Sequence, residues 1–131
     1  MTANSGQRPA AVTTLTIPAP GPWVSTNGQR HKHPHAQAKA VAPWRRLVAL
    51  LARDLPPVVG PVAITATVHK SRNGRWDIDG IAPTVKACID GLRDSGVLAD
   101  DDDRHVVALT LRVGCVCRDA RVELRIEVAP C

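Results

Sequence analysis

The chain has no phenylalanine and no tyrosine, and Trp23, Trp44 and Trp76 are its only aromatic residues. Its interior must therefore be filled by Val, Leu, Ile and Ala. Long apolar runs are missing as well. The longest, Leu47 to Ala52, is far too short to span a bilayer, so no membrane partner is expected. The first dozen residues lack an apolar stretch suited to secretion. A cytoplasmic protein with reduced cysteines is the expectation. Cys115 and Cys117 stand two apart with no second Cys pair and no spaced His pair, which falls short of a structural zinc set. Internal repeats are also absent.

What remains is the composition of one globular domain: 131 residues, 44% hydrophobic and 22% charged. The formal charge is +5, but it is unevenly spread. Between Asp77 and Asp103 eight acidic residues face only Lys86 and Arg93, a net of −6, while the rest nets +11. An acidic island in a basic frame suits a polyanionic partner held around a metal-binding centre. An acidic surface helix with its loop would give the same count.

Hydrophobic periodicity supplies the elements. Residues 14–18 read as a short strand ended by a Pro/Gly-rich turn, and 23–37 as a long polar loop. Trp44, Val48, Leu51 and Leu55 recur at helical spacing, predicting a helix from near Pro43 to about Asp54. Leu55 precedes a proline, which disfavours continuation. Residues 61–70 alternate as a half-buried strand. Pro83 suits a helix's first turn, Val85, Cys88, Ile89 and Leu92 form its apolar face, and Gly96 ends it. Residues 105–114 and 121–128 are two more strands, expected to pair antiparallel as a hairpin. The prediction is an α+β domain: a single mixed sheet of about four strands covered by two helices, in the order β-α-β-α-β-β.

The chemistry concentrates in the acidic island. Asp77 and Asp79 are two apart on what reads as an extended segment, so both carboxylates share a face. A strand–helix–strand path can return Asp100 or Asp101 to the same place. Two like charges ~4 Å apart repel by roughly 4 kcal/mol at an effective dielectric of about 20, so converging carboxylates need a cation. All-oxygen ligation points to Mg²⁺ or Mn²⁺, ions that activate water in phosphodiester hydrolysis. Lys86, early in its helix with Asp90 four residues later, is poorly placed for helix stability. A contact with a scissile phosphate is the functional alternative to a surface ion pair. Asp77-Ile78-Asp79-Gly80 fails as a calcium loop, because Ile81 stands where a third oxygen ligand is required. His31, His33 and His35 read as a polar loop rather than a metal site, and with Arg30, Lys32 and Lys39 that loop is suited to track a phosphate backbone.

The stretch RWDIDGIAPTVKACIDGLRDSGVLADDDDRHVV (75–107) resembles the signature of the RusA-like Holliday junction resolvases of phages and prophages. The resemblance is closest over 72–113 and extends more weakly to LTIPAPGPWVSTN (15–27). It rests on a DxD pair, a Lys, an Asp four residues on, and a paired-Asp motif before a strand. It implies metal-binding carboxylates at Asp77, Asp79 and Asp101, with Asp100 next in register, a catalytic Lys86, and Asp90 in support. It also implies a homodimer that cuts four-way DNA junctions with Mg²⁺, in the host cytoplasm if phage-encoded. Arg30, Lys32, Arg72 and Arg75 are candidate backbone contacts. On this reading a loose N-terminus (1–12) precedes one endonuclease domain (13–131). Three departures stand out: Gly80 replaces the family's usual Asn, three extra residues separate Asp79 from Lys86, and the paired Asp has become four. Two other classes fit the same residues: a non-catalytic DNA-binding module, and a metal-dependent phosphatase acting on small molecules.

Overall fold

The structure, a computed structural model, describes residues 12–129. The expected loose N-terminus lies outside these residues except for Val12, which already opens the first strand. The elements are β1 (Val12–Pro18), α1 (Thr26–Gln29), α2 (Pro34–Ala52), β2 (Val62–His69), a 3₁₀ turn (Ile78–Ile81), α3 (Ala82–Ser95), β3 (Val106–Val113) and β4 (Arg121–Val128). Four strands form one mixed sheet, so the α+β class is as the periodicity predicted, and the element order agrees apart from the added short helix α1. Among the described residues no helix is long and apolar enough to cross a membrane.

The sheet runs β1-β4-β2-β3. β4 is antiparallel to both β1 and β2, whereas β2 and β3 are parallel. The expected β3–β4 hairpin therefore does not form. β2 lies between them, because β2 and β4 carry the regular buried sets (Val62, Ile64, Ala66, Val68; Val122, Leu124, Ile126) and occupy the centre. Most of β3 is exposed, which suits an edge. The connector 114–120 crosses the end of β2 and stays bonded to it: Gly114 N–H donates to Val68 O (2.9 Å) and Cys117 N–H to Lys70 O (3.0 Å).

The long loop expected over 23–37 also differs. Ser25 caps the single turn α1, its Oγ accepting from Gly28 N–H (3.0 Å). α2 begins at Pro34 rather than near Pro43, with Pro34 in the first turn and His33 as cap, Nδ1 accepting from His35 N–H (3.2 Å). The early turns are Ala-rich and almost wholly exposed, so they form helix without any apolar periodicity to announce it. Pro43 sits inside the helix, where it removes one backbone donor. Burial of Trp44, Val48 and Ala52 just beyond it offsets that cost.

α3 behaves as its sequence predicts. Val85, Cys88, Ile89 and Leu92 are buried, and Gly96 closes it in the left-handed conformation (φ 89°), its N–H reaching Arg93 O. One core joins these side chains to Trp44 and Val48 of α2 and to the buried faces of β1, β2 and β4.

Candidate functional site

Beyond His69, the end of β2, the chain runs through an exposed loop to Trp76 and then makes the 3₁₀ turn. Asp77 is extended (φ −76°, ψ 134°) and caps that turn, and Asp79 lies within it. The pair is therefore not on one extended segment. It still faces one way, because Ile81 is fully buried and Ile78 packs against the core, which turns both carboxylates outward. Gly80 N–H bonds back to Asp77 O (3.0 Å) and closes the turn.

Asp77 and Asp79 line a cavity of about 740 Å³. Three cations, Arg30, Lys70 and Arg75, share it, together with Trp76 and the polar turn Ser25, Thr26 and Asn27. The opposite wall is anchored through the core. Thr84 of α3 is fully buried and binds both backbone groups of Val24, and Trp44 Nε1 donates to Pro22 O (3.1 Å).

Of the four candidate backbone-contacting residues, Arg30 and Arg75 reach this cavity. Arg72 sits on the exposed loop between β2 and Trp76, and Lys32 lines a smaller cavity beside Trp23 and Gln29. Lys70, Ser25, Asn27 and Trp76 belong to the site and were not singled out as site residues from the sequence. Lys70 had one usable signal, its position as the last residue of the alternating stretch 61–70. Of the His31–His35 stretch, His33 caps α2 and His35 lies in its first turn, with their rings stacked 5.4 Å apart.

The aspartate run does not line this cavity. Because β3 is parallel to β2, with Val62 opposite Val106, the run enters β3 at the end of the sheet opposite to where the chain leaves for Asp77. Neither Asp100 nor Asp101 lines the cavity. Asp101 instead packs along α3, accepting hydrogen bonds from Lys86 and from Arg93 Nη1 (3.3 Å). Lys86 also donates to Asp90 (2.9 Å). The Lys86 hydrogen bond, with Arg93 beyond it, holds the Asp101 carboxyl far below the usual carboxylate range. Desolvation pulls the Lys86 ammonium down, but its bonds to Asp101 and Asp90 outweigh that and leave its pKa raised.

The neighbouring aspartates shape the turn. Asp100 Oδ1 accepts from Asp101 N–H (2.7 Å). Asp102 Oδ1 accepts from the backbone N–H groups of Arg104 (3.1 Å) and His105 (3.2 Å) and lies 2.5 Å from His105 Nδ1. Asp103 is exposed. Four like charges are tolerable here because each of the first three has its own donors. Among the described residues no three His, Cys, Asp or Glu side chains form a metal-holding group. Cys88 is walled into the core, and burial pushes its thiol up to about 12.

Compared with models of known protein families and with curated proteins, the chain matches none.

Proposed function

We propose that the protein is a divalent-metal-dependent DNA endonuclease acting on branched DNA, four-way junctions above all. The observation that carries this reading is the cavity itself, where Asp77 and Asp79 share one space with Arg30, Lys70 and Arg75. A carboxylate pair edged by cations suits a phosphodiester: the cations hold the anionic backbone, and the carboxylates stand where the scissile phosphate would lie. The resemblance of residues 75–107 to the RusA-like resolvases points the same way.

Mg²⁺ is commonly bound by one or two carboxylates, its other positions filled by water and substrate phosphate. Asp77 and Asp79 fit that role, with Mn²⁺ as the alternative ion. When bound, the ion supplies an activated water and neutralises charge on the phosphate. Asp101 enters the proposal less directly. With Lys86 and Arg93 on its carboxylate, it organises the exposed flank of α3 and holds Lys86 in place.

The homodimer belongs to the same proposal. Among the described residues β3 is an edge strand of eight residues without proline, and it exposes Val107 (51%), Leu109 (47%) and Val113 (58%). An unguarded apolar edge favours strand addition, and self-pairing about a two-fold axis is antiparallel. Two equivalent cavities would then serve two equivalent strands of a junction.

The deciding experiment is incubation of a labelled synthetic four-way junction with the protein and Mg²⁺ or Mn²⁺. Paired incisions that disappear in Asp77→Asn and Asp79→Asn are the expected result. Tight binding with the junction left intact under both metals would reject catalysis. That outcome would favour the second reading, a DNA-binding module, for which the mutual pairing of Lys86 and Asp101 is the supporting observation.

A further inference from the structure

All the aromatic residues of the chain stand in one column. Trp44, fully buried, stacks on Trp23 with ring centroids 5.0 Å apart, and Trp23 stacks on Trp76 at 6.3 Å. Lys70 ends the column, its Nζ 5.0 Å from the centroid of the Trp76 ring. The column thus runs from the core to the cavity wall, because Trp76 and Lys70 both line the cavity with Asp77 and Asp79. A chain with so few aromatic residues has placed them all behind one ammonium group.

Lys70 differs in kind from Lys86. Lys86 is held by two carboxylates. Among the described residues Lys70 has no carboxylate partner; its ammonium donates to Gly74 O and rests on the Trp76 ring. A carbonyl and an aromatic face orient a cation without neutralising its charge. The backbone of Lys70 is fixed too, since its carbonyl accepts from Cys117 N–H (3.0 Å). An oriented, uncompensated ammonium beside two carboxylates is suited to an anion that the carboxylates alone would repel.

We propose that Lys70 is the phosphate-contacting lysine of the cavity and that Trp76 is its positioning residue. The ligand class is a phosphodiester, with Lys70 donating to a non-bridging oxygen of the group that lies at Asp77 and Asp79. This deepens the nuclease reading and rests on it for the identity of the polymer. The contact itself requires only a phosphate group.

The test measures junction affinity by fluorescence anisotropy in EDTA, over a range of salt concentrations. Lys70→Gln is expected to weaken binding about tenfold. It should also flatten the slope of log affinity against log salt by about 1, with Lys70→Arg restoring both. Arg53→Gln removes the same charge from the exposed end of α2 and is expected to keep the wild-type slope. Trp76→Leu should lower affinity at an unchanged slope, and Trp76→Phe should recover it. An unchanged slope in Lys70→Gln, in a variant that melts like wild type, would overturn the proposal.

A second measurement is independent of DNA. Titration with inorganic pyrophosphate should change tryptophan emission as the ammonium shifts over Trp76, and the change should vanish in both Lys70→Gln and Trp76→Leu. If the junction does not bind but this response is present, the nucleic-acid reading falls and the role of Lys70 stands. No response to either ligand would reject Lys70 as an anion contact.

Discussion

The Thr84 hydroxyl holds both backbone groups of Val24: Oγ1 accepts from its N–H and donates to its carbonyl, each at 2.8 Å. Both residues are buried, and they lie 60 positions apart. The first turn of α3, which follows the Asp77/Asp79 turn, is thereby locked to the segment that carries Ser25 and Asn27. Two walls of the cavity are joined at one hydroxyl.

Thr84→Val keeps the shape and removes both bonds, leaving a donor and an acceptor buried without partners. Each such group costs about 1–3 kcal/mol, so a loss of roughly 2–6 kcal/mol is expected in chemical denaturation. Thr84→Ser should retain most of the stability. A Val variant as stable as wild type would mean that water or a backbone shift satisfies Val24.

The crossing of α2 and α3 turns on Gly91. A Cβ there would stand 2.6 Å from Arg45 O and 2.7 Å from Val48 Cβ. Alanine gains about 1 kcal/mol of helix propensity, but neither the Arg45 backbone nor buried Val48 has room to give. Gly91→Ala is therefore expected to be net destabilising by about 1–3 kcal/mol. A rise in the unfolding midpoint would show that the two helices slide apart freely.

Asp101 sets a pH dependence. Its carboxyl is held below its ordinary value chiefly by the Lys86 hydrogen bond, helped by the Asp100 contact and Arg93. The folded pKa thus lies below the unfolded one. The stabilisation is complete above about pH 4, the ordinary carboxylate value, and is lost as pH falls through the depressed folded value. Lys86 is largely exposed, so the pair is worth only about 1 kcal/mol after screening. Asp101→Asn should be less stable than wild type by that amount at pH 7, and the gap should close below about pH 4. A gap that persists in acid would assign the loss to packing.

The sequence carried the class of fold because its strands and α3 announce themselves by period. β2 and β4 alternate cleanly, and α3 repeats Val85, Cys88, Ile89 and Leu92 between a Pro start and a Gly stop. Three things were illegible, each for a physical reason. The first turns of α2 bury almost nothing, so no periodicity marks them. The place of β3 follows from competition among strands for the sheet centre, and a seven-residue connector reads the same for a hairpin as for a crossing. The parallel β2–β3 pairing starts β3 at the other end of the sheet from Asp77, and Asp101 meets Lys86 and Arg93 on α3, a consequence of topology that spacing along the chain does not contain. Local chemistry was more legible than its assembly: Arg30, Arg75, Asp77 and Asp79 converge, whereas Asp101 and Lys86 find each other instead.

The edge strand β3 yields the last prediction. A dimer joined there by antiparallel pairing would bury Leu109 near its centre, with Val107 and Val113 toward the ends, across eight residues of strand. Leu109→Lys puts a charge at that centre, and charge on an edge strand opposes strand addition. Sedimentation of wild type is expected to give a dimer and of Leu109→Lys a monomer with unchanged far-UV circular dichroism. Leu109 lies outside the cavity lining, whereas Val113 at the end of β3 belongs to it. Pyrophosphate should therefore still change tryptophan emission in the Lys variant, while paired incision of a four-way junction should fall to single nicks. A Leu109→Lys protein that remains dimeric would move the interface elsewhere, and a monomeric wild type that still makes paired cuts would remove the dimer from the proposal.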